Sequence, residues 1–204
     1  INTRLTANGI PYQAVPGNND WNSTVGFTNY QTYIGSTGVW ETRSNFVVGN
    51  NGLTVTTGWH GLDFIGLNNS NGGYNMVSAT DVSLIDQLAT QATSRNENIF
   101  LLAHHPHNEN SFIPLTQTLN NPDVVGYMRG HSGSPHATSG LSGIQNPNVW
   151  DLNSAGIINR GGILYYEVYP TQIVVYPIQL TLNSTSLPSS KTIPLVHPMV
   201  PAGC

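Results

Sequence analysis

"NIFLLAHHPH", residues 98 to 107, is the stretch that sets the architecture. Ile99 to Ala103 is apolar without interruption, the pattern of a strand buried on both faces, and it stops abruptly at histidines. Such a strand requires cover on both sides, which points to layers packed about a central sheet. Upstream, "SATDVSLIDQLATQATSRN" (78–96) places Val82, Ile85, Leu88, Ala89 and Ala92 on one helical face, and Ser78 with Asp81 resembles a capping box. Downstream, "VVGYMRGH" (124–131) is a second short strand that also ends at a histidine. Further out, "LTVTTGW" (53–59) and "LDFIGLN" (62–68) read as strands, and residues 161–182 read as a hairpin about Pro170-Thr171. The expected fold class is therefore α/β, in layers, with a mixed sheet.

The flanks are less regular. The chain opens as the end of a helix stopped at Gly9, followed by a strand over Ile10 to Val15. Residues 17–45 read as a long polar loop and 69–78 as a Gly/Asn-rich one. Residues 183–204 hold Pro188, Pro194, Pro198 and Pro201 and read as an extended tail. One domain over 1–182 with that tail is the expected organisation.

Composition narrows the function classes. Charged residues make up 8% of the 204, against a usual share near ~25%. Lys191 is the single lysine, and the net charge is -4, so the clustered bases that bind nucleic acid are missing. No apolar run approaches the ~18 residues of a membrane span. Cys204 is the one cysteine, which excludes a disulfide within these residues. Sequons at Asn22, Asn68 and Asn183, with the scarcity of lysine, predict a secreted glycoprotein.

The histidines are placed where chemistry usually sits. His104, His105, His107, His131 and His136 all fall between 104 and 136, and two of their clusters follow directly on strands. "VPGNND" (15–20) also follows a strand. In open α/β sheets, sites form in the crevice outside the strand ends. Asn18, His104 and His131 are thus expected to face one volume, and an amide oxygen with two neutral imidazoles suits Zn, Fe, Mn or Ni. His60 and His197 are assigned to structure or solvent.

"VPGNND", "LLAHHP" and "VVGYMRGHSGSPH" resemble three blocks of the calcineurin-like metallophosphoesterases: GNH(D/E), a strand ending in His (often His-His-Pro), and a strand ending in GHxH. The resemblance covers roughly residues 1–182 and implies a layered sandwich with mixed β-sheets. It implies that Asn18, His104 and His131 bind one divalent metal (Zn, Mn or Fe), while the second His of the GHxH pattern is either displaced to His136, as a further ligand, or absent. Asp20 matches the acidic position that orients the catalytic imidazole, whose own position holds Asn19. His105, His107 and His136 are candidates to replace that imidazole, and His105 and His107 are alternatively candidates to support the ligands. The family's DxH and GDxxD blocks are not in this sequence, so the first strands of the fold are expected to be missing. An upstream segment or neighbouring subunits are then expected to cover the exposed surface. Because an amide delivers no proton near neutral pH, the expected function is a secreted, metal-dependent phosphoester hydrolase with impaired activity. The alternative is an inactive extracellular structural or assembly-forming glycoprotein that keeps the fold.

Overall fold

A computed structural model describes Val15, Gly17 and residues 40–43, 46–49, 55–69, 77, 79–107, 115–131, 133–155, 161–179 and 189–201. The expected N-terminal helix end, the expected strand apart from Val15, Ser78, Asn18, Asn19, Asp20, Asn22, Asn183 and Cys204 lie outside the described residues.

Strands β4 (Leu62–Gly66), β5 (Asn98–Leu102), β6 (Val124–Arg129) and β8 (Trp150–Asn153) run parallel in one sheet. Antiparallel strands β1 (Trp40–Arg43) and β7 (His136–Ser139) close its two sides, giving the order β1-β4-β5-β6-β8-β7. A second sheet has the order β11-β10-β9, from β9 (Gly162–Tyr169), β10 (Gln172–Gln179) and β11 (Lys191–Pro194). A third is built from β2 (Phe46–Gly49), β3 (Val55–His60) and β12 (Val200–Pro201). The two helices among the described residues are α1 (Ala79–Ser94) and the single turn α2 (Thr116–Leu119). The layered α/β architecture with mixed sheets is thus as expected.

The central strand explains the layering. Side chains alternate across a strand, so Ile99 and Leu101 enter one core with Ile85 and Ala89 of α1, Ile65 and Tyr127. Phe100 faces the other way, into a core with Leu62, Leu152 and Ile173, Val175 and Ile193 of the second sheet. Gly126 on β6 makes room for it: a Cβ there would stand 2.5 Å from Phe100 Cδ1 and 2.9 Å from Leu152 Cδ1. α1 ends where Asn96 takes a left-handed φ of 55°, a conformation that asparagine accepts more readily than most residues. Arg95 then meets the buried carboxylate of Asp63 at 3.0 Å and Glu97 at 2.7 Å.

Two sequence expectations change. The stretch 17–45 is not loop to its end, because Trp40–Arg43 pairs antiparallel with β4. "WETR" reads as polar in isolation, yet an edge strand accepts charged residues readily. The Pro-rich stretch also enters the sheets: Ile193 pairs with Ile173 of β10, and Val200 pairs with His60 of β3. Asn98, fully buried, secures this segment by donating to the carbonyls of Gly61 (2.9 Å) and His197 (2.7 Å). Its side-chain oxygen accepts the Val196 and His197 N–H groups at 2.8 and 3.1 Å. The His197 ring approaches Asp123 Oδ1 at 2.9 Å, a structural role.

Candidate metal centre

β5 and β6 run parallel and end together, with Ala103 N–H donating to the Met128 carbonyl and Gly130 N–H to the His104 carbonyl. The residues that follow each strand therefore emerge at one edge. His131 adopts a left-handed φ of 68°, between Gly130 and Gly133. Such a conformation costs a non-glycine residue about 1 kcal/mol or more and persists where surrounding contacts hold it. Gly130 brings its backbone close, since a Cβ on it would lie 3.7 Å from His104 Nδ1.

The result is a three-histidine cluster. His131 Nδ1 stands 3.1 Å from His104 Nε2. The His105 ring centroid lies 4.9 Å from that of His104 and 4.2 Å from that of His131. One ligand nitrogen from each of His104, His105 and His131 falls within 4.8 Å of the others. Gly17 lies against this cluster: a Cβ on it would meet His104 Cε1 at 3.0 Å. Glycine lets that backbone lie against the ring.

The electrostatics favour a neutral His104 ring. His104 is held down to about 4 by burial first, then by repulsion from His105 and His131. At neutral pH its lone pair is available to a cation. Two nitrogens bound tetrahedrally at ~2.0–2.1 Å stand roughly 3.3 Å apart, so a 3.1 Å separation fits one ion. The same separation also suits an N–H···N hydrogen bond between neutral rings. The donor set, all imidazole among the described residues, suits a divalent transition metal.

Other predicted residues are placed elsewhere or supply support. His136 is outside the cluster of three; its Nδ1–H donates to the Ser134 carbonyl and its Nε2 lies 3.3 Å from Asp151 Oδ2. Burial opposes ionisation of Asp151, but the two-pronged contact with Arg129 at 2.7 and 2.8 Å, with His136, keeps its carboxyl below the ordinary range. The buried His107 donates Nε2–H to the Ser142 carbonyl and packs edge-on against Tyr127. Asn68 is half-buried just beyond β4.

Sequence reasoning missed two residues that touch the cluster's backbone. Asn69 accepts the N–H groups of both His104 and His105, and the Tyr127 hydroxyl donates to the His105 carbonyl at 2.7 Å. The available signal was an asparagine just past "LDFIGL", at the end where β4, β5 and β6 all finish.

No protein-family model and no curated protein matches the chain. Among solved structures, a dimetal phosphatase from Danio rerio aligns with 95% of this chain and 75% of its own, at a TM-score of 0.62 and 11% identity. That likeness shows the fold alone: the mixed α/β layers of this chain are arranged as in that structure. No helix among the described residues is long and apolar enough to cross a membrane.

Proposed function

We propose that this chain belongs to the calcineurin-like metallophosphoesterases and binds one divalent cation (Zn, Mn or Fe) through His104, His131 and Asn18. The observation that carries the reading is the His104–His131 contact of 3.1 Å at the shared end of two parallel strands. A bound cation supplies Lewis-acid polarisation of a phosphoryl oxygen and acidifies a bound water. His104 presents a neutral nitrogen at neutral pH and His131 stands beside it, while Gly17, against the His104 ring, is the described neighbour of the Asn18 taken from the GNH(D/E) pattern. His105, in the same cluster, is the group positioned to replace the imidazole whose place Asn19 holds. His136 is the further ligand proposed from the GHxH pattern, although its ring here is engaged with Ser134 and Asp151. Losing a positioned general acid costs on the order of 10²–10⁴ in rate. Turnover is accordingly slow and confined to good leaving groups.

The test compares para-nitrophenyl phosphate with an alkyl phosphate, each with added Mn, Zn or Fe. Slow aryl hydrolysis that disappears in His104→Ala, with the alkyl ester untouched, is the expected result. Equal rates on both esters would contradict the impaired-acid reading. No hydrolysis of either favours the second reading, an inactive secreted glycoprotein covered by an upstream segment or neighbouring subunits. The Asn19 position motivates it. That reading also requires glycans at Asn22, Asn68 or Asn183, so a native mass unchanged by enzymatic deglycosylation would sink it.

A further inference from the structure

Adjacent residues on a strand point to opposite faces of the sheet. Continued past β5, that alternation would send His104 and His105 to opposite sides, yet their rings meet edge-on with centroids 4.9 Å apart. The backbone must therefore leave the strand geometry between them, and one side chain stands where it does so. Asn69 Oδ1 accepts the His104 N–H at 2.9 Å and the His105 N–H at 3.1 Å. In a strand, successive N–H groups point to opposite edges; here both converge on one oxygen. The Asn69 Nδ2 group donates to the His105 carbonyl at 3.1 Å and reaches the Tyr127 hydroxyl at 3.4 Å. The orientation of the amide is dictated, since two backbone N–H groups can only donate. Asn69 is 1% exposed, so these bonds face little competition from water. It emerges from β4 at the same sheet end, where Leu67 N–H donates to the Leu102 carbonyl at 2.9 Å.

We infer that Asn69 is the positioning residue of the histidine cluster: it curls the His104-His105 backbone so that two adjacent imidazoles serve one site. The inference rests on the proposed cation site for only one of its two readouts. The first is the proton–proton contact between the His105 and His131 rings, measured by NMR on the metal-free full chain. The second is the affinity for Zn²⁺, where losing the support behind a ligand typically costs ~10–100-fold. Asn69→Leu removes the acceptor and should lose the ring contact and weaken Zn²⁺ binding by that factor. Asn69→Ser, too short to receive both N–H groups, should do the same and stands in if the leucine variant does not fold. Asn69→Asp keeps an oxygen acceptor in place and should retain the ring contact. An unchanged ring contact in a folded Leu or Ser variant, or its loss in a folded Asp variant, would overturn the inference. If the wild type binds no Zn²⁺, the proposed function fails, while the ring contact still decides the role of Asn69.

Discussion

Packed beside two other imidazoles, His104 has its proton affinity lowered to about 4 by burial and then by its neighbours. The unfolded chain takes up a proton at this position near pH 6.5, whereas the native chain resists until about 4. Between those values the unfolded state binds more protons, so stability falls as pH falls. It is fully present above pH 6.5. Solvent reaching the half-buried ring keeps the slope below the one-proton limit of about 1.4 kcal/mol per pH unit. Urea midpoints at pH 7.5, 5.5 and 4.5 should decline in that order, with a shallower decline in His104→Gln. A midpoint that stays level or rises on acidification would show that the native ring titrates normally. The carboxyl of Asp151 acts below its ordinary 3.8, so its loss lies under this window.

At the scale of elements, legibility followed the strength of the local pattern. The apolar run of β5, the helical stripe of α1 and the β9–β10 hairpin all carry a period that burial imposes, and all appear where the sequence places them. β7, β8 and β11 did not register. Each has four residues, too few for alternation to emerge, and each owes its strand geometry to a partner distant in the chain. β11 and β12 further lie among prolines, which argue locally against strands but are tolerated at sheet edges. Their attachment depends on Asn98, whose amide meets four backbone groups of Gly61, Val196 and His197. Asn98→Ala would strand several of these in a buried setting, at a cost of about 2–4 kcal/mol. Hydrogen exchange should show residues 191–201 losing protection far more than β6. Equal loss in both segments would mean that Asn98 supports the whole fold rather than this segment.

For the whole molecule, three layers converge on one end. α1 covers one face of the parallel strands, the β9–β10–β11 sheet covers the other, and β5 and β6 deliver His104 and His131 to the same edge. The pairing of those two histidines was legible because strand ends are where loops converge. His105 entered the reading only as a candidate to replace the missing imidazole; its packing against His104 was not legible, because alternation predicts the opposite face and Asn69 overrides it from beyond another strand. The central claim, that this edge holds a divalent cation, is tested most directly by calorimetric titration of Zn²⁺ into wild-type chain and a His104→Ala/His131→Ala variant. Saturable binding that weakens on the order of 100-fold or more in the folded double variant is the predicted result. Absent binding in the wild type, or equal binding in both proteins, would contradict it.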